Sequence, residues 1–148
     1  LVSDAKPSVY VDYAHTPDGV EGAIREILRT HSGVTVLVSA SGDRDQGKRY
    51  GMGLAAALAN QVVLTDQHPR SEDPAQIRRA VAEGLSSAGK PFTEIADPAE
   101  AIEFAVSVTP REHAVLWCGP GNLKYREIAG TKQPFDAIAI AKLAVENS

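Results

Sequence analysis

The sequence predicts an α/β fold in which a mostly parallel, doubly wound, Rossmann-like sheet of five to six strands is flanked by helices. Short apolar runs rich in β-branched residues alternate with amphipathic helical patterns along the whole chain. Helix-start signals, in which a capping residue precedes proline, stand ahead of several helical patterns. Polar loops follow the apolar runs, at the sheet edge where such folds bind ligands.

The first half of the chain supplies strands and helices in alternation. In chain order, the pattern predicts a strand at Val9–Val11, a helix that starts at Thr16-Pro17 and ends before Gly33, a strand at Val34–Val38, a helix around Met52 to Asn60, and a strand at Val62–Leu64. The run at Val34–Val38 is apolar on both faces, which indicates a strand buried inside a parallel sheet.

The second half continues the alternation. It predicts a helix from the loop at 65–74 to about Ser87, a weaker strand at Phe92–Ile95, a helix from Asp97-Pro98 to Val106, a strand at Ala114–Cys118, and a last helix that starts at Phe135-Asp136. There is no repeat and no interdomain linker, so residues 1–148 are expected to form one domain.

Composition excludes several classes of protein. With 43% hydrophobic and 23% charged residues, the chain is typical of a globular domain and not of a disordered tail or coiled coil. A net charge of −4 disfavours nucleic acid as a partner, and no apolar run reaches the roughly 18 residues of a membrane span. The single cysteine, Cys118, excludes an internal disulfide and fits a cytoplasmic setting. The start at Leu1-Val2-Ser3, without Met, suggests a domain of a longer protein.

The loop after the first predicted strand reads Asp-Tyr-Ala-His-Thr-Pro, from Asp12 to Pro17. A carboxylate and an imidazole just ahead of a helix N-terminus suit contacts to ribose, phosphate or a base. An equally good interpretation is that Asp12 and Thr16 only cap the helix while His15 lies at the surface.

The loop after the second strand, Gly42–Arg49, nearly matches a phosphate-binding P-loop, because Gly42, Gly47 and Lys48 have the required spacing. The next residue should carry a hydroxyl that binds magnesium, but it is Arg49, so the P-loop is rejected. A turn presenting Arg44, Lys48 and Arg49 to a carboxylate or phosphate is the remaining functional interpretation, and a solvated charged turn is the alternative.

Two further loops carry candidate residues. Arg70, stiffened by Pro69, can bind a carboxylate through both arms of its guanidinium, although the following Ser71–Pro74 is also an ordinary helix start. The last predicted strand runs into Gly119-Pro120-Gly121, which permits close approach of backbone to a ligand or makes a simple tight turn. Cys118 has no catalytic partner in the sequence, and no His and acidic residues have metal-ligand spacing.

Taken in order, these loops resemble the C-terminal domain of the Mur ligases, most closely the MurE type, which adds the third residue of the peptidoglycan stem peptide. The motifs at Asp12–Pro17 and Gly42–Arg49 match the family pattern without change. Gln67–Arg70 is similar to the family's Asp-Asn-Pro-Arg, and Glu72–Pro74 to its acidic continuation. The resemblance covers the chain from about Val9 to Val145.

The resemblance implies an ATP-dependent ligase. Such an enzyme phosphorylates the terminal carboxylate of UDP-N-acetylmuramoyl-L-alanyl-D-glutamate, and the amine of lysine, ornithine or meso-diaminopimelate attacks the acyl phosphate to form an amide. A central domain holds most of the ATP and Mg²⁺ contacts, its P-loop and a carbamylated lysine. Residues 1–148 would then be the amino-acid-binding domain, with no catalytic or metal-binding residue of its own and no activity in isolation. A cytoplasmic monomer, with its own central domain as its partner, is expected.

The resemblance also implies roles for individual residues. Those expected at the amino acid are Arg44, Gln67, His68, Pro69, Arg70, Gly119 and Leu123, with Arg44 and Arg70 on its carboxylate; those expected on the nucleotide side are Asp12, His15, Asp43 and Lys48.

Two departures affect the amino acid's side chain. Gln67-His68 replaces the family's Asp-Asn, and Leu123 stands where the family has the Glu that meets a side-chain ammonium. The usual recognition of meso-diaminopimelate is therefore in doubt, and Asp66, Glu72 and Glu127 are the candidate replacement acids. Other Mur-type ligases, or a binding module that has lost turnover, are the alternatives.

Overall fold

The computed structural model describes residues 1–43 and 46–148. In chain order the elements are β1 (Ser8–Asp12), α1 (Pro17–Leu28), β2 (Val34–Val38), α2 (Lys48–Ala56), β3 (Gln61–Leu64), α3 (Pro74–Ser87), β4 (Thr93–Glu94), α4 (Pro98–Val108), β5 (Ala114–Cys118), β6 (Tyr125–Ile128), β7 (Thr131–Pro134) and α5 (Ala137–Glu146). The predicted alternation is confirmed for these elements up to β5.

The main sheet has five strands in the order β1-β5-β2-β3-β4, and every neighbouring pair is parallel. The chain lays down β1 to β4 in sequence order, apart from the gap between β1 and β2 that β5 later fills. The carboxyl ends of β1, β5, β2 and β3 therefore meet along one edge, and their loops converge there.

Helices cover both faces of this sheet, as a doubly wound fold requires. On one face, α1, α2 and α3 pack on side chains such as Val36 and Leu116, while α4 and α5 cover the other face around Leu37 and Trp117. All five residues of β2 and all five of β5 are buried. These central strands form a rigid floor under the convergent loops.

Helix starts follow the capping signals in the sequence. The Thr16 hydroxyl accepts a hydrogen bond from the Gly19 amide at 3.0 Å, and proline occupies the first turn of α1. Asp73, Asp97 and Asp136 cap α3, α4 and α5 through their carboxylates in the same way. Each cap satisfies an amide that the first helical turn leaves without a partner.

Helix α2 differs from its predicted position around Met52 to Asn60. It begins at Lys48, inside the charged motif, and ends at Ala56. Gly47, at its N-cap position, provides no side-chain cap, and the first turn contains no acidic residue. Lys48 and Arg49 therefore lie in the first turn of a helix, where the partial positive charge of the backbone favours anions.

The hairpin of β6 and β7 was not predicted. Its strands pair antiparallel around Ala129 and Gly130, which have φ of 51° and 78°, as a tight hairpin turn requires. The hairpin is attached to the loop after β3, because Arg70 donates its amide to the Glu127 carbonyl at 2.9 Å and accepts from the Ala129 amide at 2.7 Å. It thus forms one wall above the sheet edge.

No helix within the described ranges is long and apolar enough to cross a membrane.

Candidate functional site

A cavity of about 460 Å³ opens at the carboxyl ends of β1, β2, β3 and β5. Sequence-predicted site residues on its wall are His15, Lys48, Gln67, His68, Arg70, Gly119 and Leu123. The wall also contains Arg49 of the charged turn, together with residues that the sequence did not single out, namely Tyr13, Ser39, Ala40, Ser41, Met52 and Tyr125. The serines directly follow β2, so their position at a strand end was the signal available for them.

Three predicted residues within the described ranges do not line this cavity, and the position of a fourth is not described. Arg44 lies outside the described residues. Pro69 is buried, and its carbonyl packs so closely on Gly42 that a Cβ there would lie 1.9 Å from the oxygen. Asp12 accepts a hydrogen bond from the Ala14 amide at 2.7 Å. Asp43 is engaged with Ser71. Among the predicted residues off the wall, those described therefore shape the loops rather than face the cavity.

The first loop has both a capping residue and side chains that face the cavity. Thr16 caps α1, as the simpler interpretation expects, whereas Asp12 accepts from the Ala14 amide ahead of the helix and does not cap it. His15 is exposed, and its ring packs edge-on against Tyr13 with 5.0 Å between the ring centres. Both rings lie on the cavity wall, so the loop presents an aromatic surface to a ligand at the mouth.

The second loop, which follows β2, is hydrogen-bonded through Asp43 to the third loop, which follows β3. The Asp43 carboxylate accepts hydrogen bonds from the Ser71 hydroxyl at 2.5 Å and the Ser71 amide at 3.1 Å. These bonds, with help from the charges of Arg70 and Arg49, hold the pKa of Asp43 below its usual value although burial acts to raise it. The carboxylate is therefore a structural acceptor that joins the two loops.

The prediction that the charged turn presents Arg49 to an anion does not agree with the structure. Its guanidinium is 5% exposed, forms an ion pair with Glu72, and donates to the Ser41 carbonyl at 3.2 Å. The side chain thus holds the start of α2 against the second and third loops and is not available to an anion as expected. Lys48, by contrast, is exposed at the cavity and has no ion-pair partner among the described residues.

Arg70 is the arginine that the third loop brings to the cavity wall. Its backbone has φ of 53°, and its Nη1 donates to the Gly42 carbonyl at 2.9 Å. Its Nε lies 3.7 Å from a carboxylate oxygen of Glu127, a long ion pair. These contacts engage Nη1 and Nε, and they leave the Nη2 donors for a carboxylate in the cavity that the side chain lines.

Gln67 and Gly119 fit together on the floor of the cavity. The Gln67 amide oxygen accepts a hydrogen bond from the Ser39 hydroxyl at 3.1 Å. Gly119 has φ of 118°, and a Cβ at this position would lie 2.2 Å from that same oxygen. Glycine is needed at residue 119 both for its backbone conformation and for the space that Gln67 occupies.

His68 connects the cavity to the hairpin. Its Nδ1 accepts a hydrogen bond from the Glu127 amide at 2.9 Å, so a neutral His68 carries its proton on Nε2. Next to it, Arg126 donates from Nε to the Gln67 carbonyl at 2.7 Å. Burial lowers the pKa of Arg126, although nearby Asp66 and Asp97 oppose the shift. The hairpin therefore fixes the backbone and ring positions of the third loop.

The three acids considered as partners for a side-chain ammonium are all engaged with arginine. Glu72 pairs with Arg49, and Glu127 with Arg70. Asp66 accepts from Arg78 at 2.6 Å. Burial acts to lower the pKa of Arg78, but its hydrogen bonds to Glu94 and Asp66 outweigh that effect and raise it. None of the three carboxylates lies on the cavity wall.

Cys118 is a core residue at the end of β5. It is 1% exposed, and burial, with a smaller contribution from the charge of Asp12, raises the pKa of its thiol. Since the thiolate is the reactive form, we expect no reaction of the native chain with a thiol reagent such as DTNB at pH 8, and stoichiometric reaction in urea. Rapid labelling of the native chain would contradict this account of β5.

Within the described ranges, no group of three or more His, Cys, Asp or Glu side chains is arranged to hold a metal ion.

Comparisons with known proteins support the resemblance of the loop motifs. Residues 1–121 match the sequence profile of the family described as Mur ligase, glutamate ligase domain. A UDP-N-acetylmuramyl-tripeptide synthetase of Leifsonia xyli subsp. xyli is 41% identical over 100% of this chain and 30% of its own. A UDP-N-acetylmuramoyl-L-alanyl-D-glutamate–2,6-diaminopimelate ligase of Chelativorans sp. is 45% identical over 86% of this chain and 26% of its own.

Solved structures give the same result. The structure of a UDP-N-acetylmuramoyl-L-alanyl-D-glutamate–2,6-diaminopimelate ligase superposes with a TM-score of 0.87 at 35% identity, over 94% of this chain and 29% of that one. A UDP-N-acetylmuramate–alanine ligase from Thermotoga maritima shares the fold, with a TM-score of 0.60 at 23% identity over 94% of this chain and 26% of that one. The chain spans under a third of the length of these relatives. The resemblance inferred from the loop motifs is confirmed.

Proposed function

The chain belongs to the Mur ligase family, whose glutamate ligase domain it matches, and from this premise we propose that it is the C-terminal domain of a longer ATP-dependent ligase. That enzyme adds the third amino acid to UDP-N-acetylmuramoyl-L-alanyl-D-glutamate in peptidoglycan synthesis. The observation that carries the proposal is the cavity at the strand ends, where Arg70 and Lys48 face a space large enough for an amino acid. The names of the full-length relatives support the substrate.

In this proposal the third loop binds the incoming amino acid. Arg70 holds its carboxylate with the donors that Gly42 and Glu127 leave unused. Arg44 is proposed as the second contact to that carboxylate. Gln67, His68, Gly119 and Leu123 surround the side chain, and Pro69 holds the loop against the second loop.

The nucleotide is proposed to meet this domain at the cavity mouth. Lys48 is the side chain best placed for a phosphate, because it is exposed at the start of α2, on the cavity wall. His15 shares the cavity wall with Lys48, Asp12 orders the first loop through the Ala14 amide, and Asp43 orders the second loop. The described residues do not fit Mg²⁺, since Arg49 replaces the P-loop hydroxyl and no acidic cluster is present among them. Mg²⁺ and most ATP contacts belong to the proposed central domain.

The domain contributes to the reaction by positioning. ATP supplies the phosphoryl group that activates the dipeptide's carboxylate. With its carboxylate held by Arg70, the acceptor's amine can be directed out of the cavity toward that activated carbon. Fixing two reactants in this way converts an encounter in solution into a step within one complex. Closing the domain over the site also excludes water, which would otherwise hydrolyse the activated group.

The direct test uses the longer protein with ATP, Mg²⁺ and UDP-N-acetylmuramoyl-L-alanyl-D-glutamate. With a suitable amino acid, mass spectrometry should show a product heavier than the dipeptide by one amino-acid residue. Absence of such a product with every amino acid offered would refute the proposed function and favour a binding module.

The isolated 148-residue chain is expected not to hydrolyse ATP. It has no P-loop and, among its described residues, no metal-binding cluster. A coupled phosphate assay with the purified chain, ATP and Mg²⁺ should therefore give the rate of the buffer alone. Steady phosphate release that survives repurification would show that this domain carries catalytic groups of its own.

A further inference from the structure

The charge of the cavity wall bears on which amino acid the proposed ligase uses, and the inference rests on that proposed function. The described part of the wall contains the cationic side chains of Lys48, Arg49 and Arg70 but no carboxylate. An ammonium on the side chain of an acceptor would therefore leave water for a cavity without a counter-charge among the described residues. Burying an unpaired charge is strongly unfavourable.

The neighbouring carboxylates can supply that counter-charge only at a large cost in free energy. Glu72 and Glu127 already neutralise Arg49 and Arg70, which themselves line the cavity. If either acid turned to a ligand's ammonium, a largely buried guanidinium would lose its partner. Removing one partner of a largely buried ion pair is destabilising, because it leaves the other charge uncompensated.

Neutral groups on the wall suit a different side chain. Gln67 uses its amide oxygen for the Ser39 hydroxyl, and its Nε2 makes no hydrogen bond with any described residue. That nitrogen lies beside Gly119, on the cavity floor. Leu123 adds an apolar surface. Together these groups can accommodate a short aliphatic chain that ends in a hydrogen-bond acceptor.

We propose that the acceptor is an amino acid with an uncharged, hydrogen-bonding side chain, bound against Gln67 and Leu123, and not a diamino acid. The Gln67 Nε2 donates to the oxygen of that side chain, while the proposed contact of Arg70 holds the α-carboxylate. The amino acid's amine is then its only ammonium, and it points toward the reacting carboxylate.

In the test, the full-length ligase is incubated with ATP, Mg²⁺ and the dipeptide, and amino acids from two sets are added one at a time. One contains L-serine, L-homoserine, L-asparagine and L-glutamine; the other contains L-ornithine, L-lysine and meso-diaminopimelate. We expect the best neutral amino acid to exceed the best diamino acid in kcat/KM by at least about 100-fold, because the site discriminates against a ligand whose charge it leaves unpaired. Preference for a diamino acid overturns the inference alone, whereas no product with either set overturns the proposed function as well.

A charge introduced on the wall gives a second, independent readout. Leu123→Glu should raise the ratio of kcat/KM for ornithine to that for the best neutral amino acid by about 10-fold or more, since it supplies the missing counter-charge. Leu123→Gln, of similar size without charge, should not. Equal effects of the two variants would contradict the charge argument. Use of ornithine or lysine that disappears in Asp45→Asn would also overturn the proposal and identify the carboxylate responsible.

Discussion

Replacing Gly84 by alanine is expected to destabilise the domain by about 3 kcal/mol, the upper end of the usual cost of overpacking. A Cβ at Gly84 would lie 2.0 Å from the Tyr50 carbonyl oxygen and 3.1 Å from the Cα of Gly53. The obstacle is the backbone of α2, which cannot rotate away as a side chain would. The two helices would have to separate, and α2 carries Lys48 at the cavity.

Urea unfolding, followed by the fluorescence of the single tryptophan, measures this effect. Gly22→Ala on α1 is the matched control, because a Cβ there meets no atom within 4 Å. It should be neutral or stabilising by up to about 1 kcal/mol, as alanine favours a helix over glycine. Similar midpoints for the two variants would contradict the close contact of α2 and α3.

Replacing Arg70 by alanine in the full-length ligase is expected to lower kcat/KM for the amino acid by at least about 100-fold, as loss of a hydrogen-bonded charge partner at a binding site does. The proposed carboxylate contact disappears, and the Gly42 carbonyl loses its donor. Arg70→Lys keeps the charge without the two-armed geometry, so an intermediate loss is expected. Product formation measured at several amino-acid concentrations separates the effects on kcat and KM.

Hydroxylamine distinguishes loss of the amino-acid contact from loss of the fold. As a small nucleophile it needs no carboxylate contact, and it captures the activated dipeptide as a hydroxamate. Hydroxamate formation should be unchanged in Arg70→Ala and in Arg79→Ala, an exposed control on α3 whose amino-acid use should also be normal. If hydroxamate formation fell together with amide formation, Arg70 would support the domain rather than the acceptor.

The strands and helices that the sequence predicted best are those governed by local signals. The β-branched run of β2 was placed at Val34–Val38 without error, and the Thr16-Pro17 signal located the start of α1. The hairpin had no comparable signal, since all of β7 is exposed and lacks alternation of apolar residues. Its position depends on hydrogen bonds that Glu127 and Ala129 share with Arg70 and His68, which lie almost sixty positions away in the chain.

The candidate site was predictable where motifs mark it and not where distant residues decide. The motifs placed Lys48, Gln67 and Arg70 near one another, and the structure brings all three to one cavity. Whether Arg49 is free to bind an anion depends on its ion pair with Glu72, which follows it by 23 residues and is brought to it only by the fold. The pairing of the other candidate acids with arginines is likewise a property of the folded loops.

Amino-acid dependence of phosphate release shows whether the cavity at the strand ends is an acceptor pocket that completes the reaction. The full-length protein is incubated with ATP, Mg²⁺ and UDP-N-acetylmuramoyl-L-alanyl-D-glutamate, and phosphate is followed before and after single amino acids are added. The account predicts slow release until one amino acid is added, then steady release with one phosphate per amide formed, and sharply less in Arg70→Ala. Release that is indifferent to every amino acid, or no release at all, would contradict it.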